Sequence, residues 1–577
     1  MSIKPNDAAN SSWVLKLTAV GLAAVALVLV SSYAGKELAK RMARHPETNI
    51  TSEEEQQASP KQANRLTELK LPAKFCRGWP KPDLVLLLSA QQHGYLLPCG
   101  CSRPQVGGLE RRYNLLRILE DKGWPVVAAD LGDIPQIAGP AKLPNIQGIM
   151  KYKYSMMALK KMGYSAVSFG EYEAALDLFR VLGEYALNEP SPRVLAANLR
   201  EREVKFPEMM KDWELAHEAL GGKLPFKVGI TAALGPSVAE LKITDPSLKS
   251  QIGSTGDALK DVLKQMDKEK VELRLLLYQG SPVHKMKGAE LPEAQSVARA
   301  FPQFPIILCL DQSDEPSSYP IELKDTKGAV QSRIISVGHK GKHVGVVGVY
   351  RTGKAAQPFE FRYQLIDLSE DFLTPEAEAA KHPIIDLMEQ YTRELKQQNF
   401  LGKYGQSRHP LQALDPVQGI AGMPTYVGSE ACRGCHKKAY DIWEKSAHSH
   451  AYQTLVDAKR PSNRQYDAEC IVCHTTGFTY NSGFTNAEKT PQLKNVGCES
   501  CHGPGSLHVA NKDNEEWQAR MNPWRAPAKE DAEQKTKRLD RIDQFCQSCH
   551  DSENDVTWIG EKGFKSKWPK VEHSGKK

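Results

Sequence analysis

The chain is short of extremes. Seventy-six lysines and arginines stand against 69 aspartates and glutamates, so the formal charge is only +7 over 577 residues. That imbalance is too mild to mark a nucleic-acid-binding chain, and no nucleic acid is expected as a partner. Apolar runs able to enter a bilayer are missing but for one, Leu17 to Val30 (LTAVGLAAVALVLV), with looser apolar character from Trp13 to Gly35. No repeat of fixed period appears outside four short boxes near the end. Cysteine is sparse, 12 in all, yet eight of them fall in those boxes. What is present is ordinary for globular protein, 41% hydrophobic and 25% charged. A chain of this length exceeds one core, so two or more domains are expected.

The boxes are C-x-x-C-H. They read CRGCH (Cys432, Cys435, His436), CIVCH (Cys470, Cys473, His474), CESCH (Cys498, Cys501, His502) and CQSCH (Cys546, Cys549, His550). Two thiols three positions apart can add to the two vinyl groups of one haem, and the next residue is an imidazole placed as an axial ligand. Four covalently bound haem c groups are therefore expected, with His436, His474, His502 and His550 as iron ligands. Zinc ribbons are the rival for C-x-x-C pairs. They leave unexplained why a histidine follows each second cysteine.

The single apolar run is long enough for one bilayer crossing. An uncleaved signal anchor is expected over 1–35, with a cleaved secretion signal as the alternative, Ser32 and Ala34 being small residues ahead of a cut. Lys36, Lys40, Arg41 and Arg44 follow the run while only Lys4 and Lys16 precede it, a bias that would hold the body inside. Haem attachment of this kind takes place on the outer side of the cytoplasmic membrane. The expectation is thus a single-pass protein of that membrane with its bulk periplasmic.

Residues 36–79 read as a polar tether. From 83 onward, short apolar runs (83–90, 125–132, 166–170, 193–199, 226–234, 272–280 and 304–311) alternate with helical periods such as 108–123 and 255–270. This alternation predicts an α/β domain with buried strands, placed at 80–370. An amphipathic helix over 374–398 and a Gly/Pro-punctuated linker fill 371–425. The remainder, 426–577, is short helices and loops around the boxes, where the haems would form much of the core.

Around the boxes stand YVGSEACRGCH, then IWEKSAHSHAYQTL, later VGCESCHGPGSLHV, and WPKVEH near the end. These resemble the tetrahaem cytochrome c family typified by the electron acceptor of hydroxylamine oxidoreductase, over roughly 426–575. The resemblance implies a compact, mostly helical electron conduit with stacked haems, working with redox partner proteins. It also implies distal ligands at His448, His508 and His573, with one iron open or served by His450 or His409. His502 and His508 are too close in sequence to face one porphyrin, so His508 is expected on a neighbouring haem. Met423 and Met521 match no ligand position of the family.

The first strand and loop, LVLLLSAQQHGYLLPCGCSRPQVGGLERR, with AADLGD (128–133), SFGEYE (168–173), RVLAANL (193–199) and SVGHKGKHVGVVGV (336–349), resemble a calcineurin-like phosphoesterase domain of the 5′-nucleotidase type. The resemblance implies a four-layer sandwich with two metals at the strand ends. The metal-binding motifs are eroded. D-x-H is Gln91-Gln92-His93, and G-N-H-E is Gly170-Glu171-Tyr172-Glu173. The two later histidine motifs fall at Tyr278-Gln279-Gly280 and near Leu310-Asp311-Gln312-Ser313. Of the expected set His93 and Asp133 survive, so no catalytic residue and no non-haem metal is assigned.

Four cysteines lie outside the boxes: Cys76, Cys99, Cys101 and Cys309. Cys99 and Cys101 could pair with Cys76 in a disulfide. They could instead rebuild a metal site with His93 and Asp133. Cys309, inside an apolar strand, reads as a buried thiol. The fold class expected is α+β multidomain: an N-terminal transmembrane helix, an α/β four-layer phosphoesterase-like sandwich, and a mostly helical multihaem cytochrome c domain. Electron relay is the expected role. The alternatives are an oxidoreductase acting on a small nitrogen or sulfur compound at an open haem, and an active metallophosphoesterase.

Overall fold

The computed structural model describes residues 69–98, 103–176, 191–199, 210–558 and 563–573. The expected anchor at 1–35, residues 36–68 of the tether, and Cys99 and Cys101 lie outside the described residues. Among the described residues no helix is long and apolar enough to cross a membrane. The stretch from Asn64 to Lys577 forms one compact unit.

The apolar runs become buried strands. β1 (Leu84–Ser89), β2 (Val126–Asp130), β3 (Ala166–Ser168) and β4 (Arg193–Leu195) run parallel to one another. β5 (Met210–Lys211) extends them, and β12 (His343–Lys354) and β13 (Gln357–Asp367) close the other edge antiparallel, in the order β13-β12-β1-β2-β3-β4-β5. A second sheet has the order β10-β11-β9-β8-β7-β6, built from β6 (Trp213–Leu215), β7 (Val228–Leu234), β8 (Leu273–Gln279), β9 (Ile306–Cys309), β10 (Ile321–Lys324) and β11 (Val330–Ile335).

Period-two alternation explains why these strands are apolar on both faces. On β1, Leu84, Leu86 and Leu88 join Leu273, Leu275 and Leu277 of β8 in the core between the sheets. Val85 and Leu87 face the other way. They pack under α1 (Leu109–Asp121), α2 (Gly148–Lys161) and the C-terminal α5 (Pro383–Gln397). On the second sheet's outer face, Leu276 and Tyr278 pack under α3 (Thr255–Lys268) and α4 (Glu293–Ala300). The result is helix, sheet, sheet, helix, the layering expected.

The helix expected over 374–398 begins later. Residues Glu376–Lys381 form a 3-10 turn, and α5 starts at Pro383, whose fixed φ suits a first helical position. Beyond α5 the chain is not a loose linker. Leu401 and Tyr404 enter an apolar cluster with Leu143 of the α/β body and with Tyr426, Tyr452, Ile471, Phe484 and Leu493 around the boxes. Helices here are short: α6 (Lys437–Glu444), α7 (Ala451–Val456), α8 (Ala468–His474) and α9 (Cys498–His502), then a longer α10 (Ala532–Cys546).

Polar bonds join the two regions. The buried Gln147 side chain donates to Asp467 at 2.9 Å and accepts from the Ala468 backbone at 3.2 Å. Glu469, just before Cys470, accepts from Gln136 at 2.7 Å and meets Lys151. Glu553 meets Lys340, and its carbonyl accepts from Gln105 at 3.0 Å.

Candidate haem centre and a remodelled strand-end site

Two of the boxes lie in α8 and α9, with the proximal histidine at the helix end. His474 closes α8, and its Nδ1 bonds the Ala451 carbonyl at 2.6 Å. His502 closes α9, and its Nδ1 bonds the Met521 carbonyl at 2.6 Å. His550 follows α10, and its Nδ1 bonds Asp555 at 3.0 Å. A bond of this kind fixes the ring and leaves Nε2 for a metal.

Each of three box histidines faces a histidine from elsewhere in the chain. His436 and His508 have ring centres 6.2 Å apart, His448 and His550 6.0 Å, and His502 and His573 5.8 Å. An imidazole nitrogen sits about 2 Å from a metal it binds and the ring centre about 1 Å further back, so two imidazoles on one metal have centres about 6 Å apart. The three pairs meet that spacing. Nδ1 of His508 is buried with no bonding partner, and burial pushes His448 down to about 4, so that ring is neutral and able to ligate. The donor set fits haem iron.

His508 stands opposite His436 of the first box, not opposite its sequence neighbour His502. His474 faces no histidine ring among the described residues. The two fallback candidates are engaged differently: Nδ1 of His450 bonds Ser449 at 2.6 Å, and His409 caps a short 3-10 turn through Leu411 N–H.

The thiols reveal which boxes are neighbours. The free thiols of Cys432 and Cys498 lie within hydrogen-bonding reach of each other, as do those of Cys473 and Cys549. Cys501 lies within electrostatic reach of Cys546 and Cys549. The spatial order of the boxes is first, third, fourth, second, which no spacing in the sequence would indicate.

In the α/β body, His93 and Asp133 come together at the ends of β1 and β2, the His93 N–H donating to the Asp133 carbonyl at 3.0 Å. The tight turn between β2 and Asp133 requires Gly132: its φ is +89°, and a Cβ there would lie 2.0 Å from the Ser168 carbonyl oxygen. Gln91, His93 and Asp133 all carry positive φ, 48°, 48° and 52°, strain of the kind that clusters at functional sites. His93 stacks on Tyr172 with ring centres 4.2 Å apart, and burial pushes it down to about 3, so it is neutral. Asp133 accepts from the Tyr172 N–H at 2.9 Å. Glu173 accepts from the backbones of Asp133, Ile134 and Gly170 at 2.9 to 3.0 Å. Burial pushes Asp133 up to about 7 and Glu173 to about 8.

Gln91 ties the sheets together, its Oε1 accepting from the Asp311 N–H at 2.7 Å. Gln279 donates to the Leu131 carbonyl. His339, whose ring centre is 5.9 Å from that of His93, was not singled out from the sequence, although it sits inside SVGHKGK. Among the described residues no three His, Cys, Asp or Glu side chains group in a way that could hold a metal ion. Cys76 and Cys309 are buried free thiols, and burial pushes Cys76 up to about 12. Cys99 and Cys101, the partners suggested for Cys76, lie outside the described residues; Cys76 belongs to the apolar cluster under the first sheet, and its backbone N–H donates to Gln364 at 2.5 Å.

A model of the family described as cytochrome c554 and c-prime matches residues 431–503. Cytochrome c-554 of Nitrosomonas europaea is 29% identical over 163 residues, which is 26% of this chain and 68% of that protein. Its reduced-state structure matches with 25% identity and a TM-score of 0.17, covering 24% of this chain and 70% of that one. A 5′-nucleotidase precursor from Thermus thermophilus matches with 16% identity and a TM-score of 0.42 over 54% of this chain. The match covers 59% of that nucleotidase, under two thirds of its length. Over residues 431–503, in its C-terminal third, this chain is therefore similar to the cytochrome c554 family.

Proposed function

We propose that the protein relays electrons through four haem c groups attached at Cys432/Cys435, Cys470/Cys473, Cys498/Cys501 and Cys546/Cys549. The observation that carries the reading is the set of three histidine pairs with ring centres 5.8 to 6.2 Å apart. Haem bound there supplies one-electron chemistry, with potentials set by axial ligands, burial and hydrogen bonds. The chain's contribution is to hold the imidazoles in neutral, oriented form and to bring the boxes together in the order first, third, fourth, second. Redox partner proteins are the implied donor and acceptor.

The α/β body no longer hydrolyses phosphate esters in this reading. A two-metal site needs several anionic oxygens and imidazoles. Here the first carboxylate is Gln91, the catalytic imidazole is Tyr172, and Gln91 Oε1 is already committed to Asp311. The body serves instead as a support docked on the second and fourth boxes. An N-terminal anchor and a periplasmic location belong to the same proposal and rest on the run Leu17 to Val30 and on where haem is attached.

A pyridine haemochrome assay on protein made in a host that matures c-type cytochromes should give four haems per chain, with no manganese- or zinc-dependent hydrolysis of nucleotides. Zinc in place of haem would overturn the relay. Hydrolysis lost in Asp133→Ala would overturn the assignment of the α/β body.

A further inference from the structure

A cavity of about 150 Å³ lies between the α/β body and the segment leading into the second box. Four arginines line it, Arg103, Arg111, Arg460 and Arg464, against two glutamates, Glu110 and Glu370. Another wall is apolar, with Leu373, Ile385 and Met388. Arg111 is 5% exposed, and its guanidinium donates to the carbonyls of Gln105 at 2.5 Å and Leu368 at 3.0 Å. Both acceptors are neutral, while Glu110 and Glu370 act on Arg111 through space. A buried cation satisfied by carbonyls alone is costly, and a carboxylate is its usual partner.

Of the cavity's other arginines, Arg103 pairs with the lining Glu370 at 3.6 Å, and the remaining two point towards the second box. Arg460 donates to the Thr374 carbonyl at 3.3 Å and meets Glu376, whose side chain is largely in solvent. Arg464 acts electrostatically on both the Cys470 thiol and the His474 imidazole. Along α5 from the lining residue Met388, Tyr391 is within reach of Cys470 as well. The cavity therefore adjoins the second box.

We infer that this cavity receives the propionate arms of the haem attached at Cys470 and Cys473, so that the α/β body supplies part of that haem's seat. The inference rests on the tetrahaem reading. The chemistry matches on both walls: guanidinium forks take carboxylates in bidentate fashion, and the apolar wall suits the edge of a macrocycle. The α/β body then has a role in the redox chemistry itself, setting the charge around one haem.

The test is a potentiometric titration of the full-length haem-loaded protein and of Arg464→Gln and Arg111→Gln. It follows the haem of the second box through its high-spin signal, because His474 has no imidazole opposite. Removing a positive charge there should lower that haem's affinity for an electron about tenfold, about 59 mV for a one-electron couple, and leave the other three unchanged. Arg464 comes from the segment before the second box and not from α1, so its variant reports even if Arg111→Gln fails to fold. An unchanged potential in Arg464→Gln with four haems present would overturn the inference, as would a shift confined to a low-spin haem. A free dicarboxylate as occupant would show itself differently: millimolar succinate would move the wild-type high-spin potential. Fewer than four haems in the wild type would instead sink the parent reading.

Discussion

His448 and His550 stand with ring centres 6.0 Å apart, one ahead of the second box and the other closing the fourth. The chain between them folds through α7, α8, α9 and α10, so the pairing is a product of tertiary structure. If the two share an iron, His448→Ala keeps the wild-type haem count, because the box cysteines are untouched. One low-spin haem should become high-spin, read as the loss of one bis-imidazole signal by near-infrared magnetic circular dichroism. An unaltered spectrum would remove His448 from the ligand set.

His474 predicts the opposite behaviour. Its ring is oriented by the Ala451 carbonyl at 2.6 Å, and no histidine ring opposes it among the described residues. An added ligand such as cyanide should therefore bind one haem per chain without displacing a protein ligand. Titration monitored in the Soret band should saturate at one equivalent. Binding to none, or to several, would contradict the assignment.

Glu173 makes a pH prediction. Burial raises it to about 8 and Asp133, with which it is coupled, to about 7, while an unfolded glutamate titrates near 4.3. The folded state binds the proton more tightly than the unfolded one. The stability contributed by protonation is therefore full below the unfolded value and is lost as pH rises through the folded values of the pair. Glu173→Gln cannot ionise; its single amide oxygen can still accept from Asp133 and Gly170 N–H, while the bond from Ile134 N–H is lost, a cost that does not vary with pH. Its thermal midpoint relative to wild type should rise between pH 5 and pH 8. A constant difference across that range would show that the carboxyl titrates normally.

The strands that position these groups were legible because each is buried on both faces and reads as an unbroken apolar run: β1, β2, β7, β8 and β9 fall inside the runs at 83–90, 125–132, 226–234, 272–280 and 304–311. β13 was not legible. Its residues Gln357–Asp367 alternate between exposed and buried at the sheet edge, so the apolar signal is diluted. At the haem centre, the box histidines follow from local spacing alone. The opposition of His436 to His508, and the order first, third, fourth, second, depend on contacts across the fold. The tie between Gln91 and Asp311 was likewise invisible, since it joins two sheets through one side chain.

The strand-end site rests on a buried charge pair. Arg112 of α1 and Asp130 at the end of β2 are both fully buried, 3.4 Å apart. The guanidinium also donates to Ser89 at 3.2 Å and to Gln92, and Ser89 donates to Asp130. One side chain thus holds the ends of β1 and β2 together beneath His93 and Asp133. Removing one partner of such a pair costs about 3–5 kcal/mol, because the other is left in a low-dielectric interior. Burial already pushes Asp130 up while Arg112 pulls it down, so Arg112→Met should leave a protonated Asp130, with the cost nearer the lower end. Local opening would then be easier by about two powers of ten, visible as faster hydrogen exchange in β1 and β2 and little change around the boxes. Arg112→Met combined with Asp130→Leu removes both charges and should recover much of the protection. If the double variant is no better than the single, the two residues are not coupled, and Arg112 acts through Ser89 and Gln92 instead.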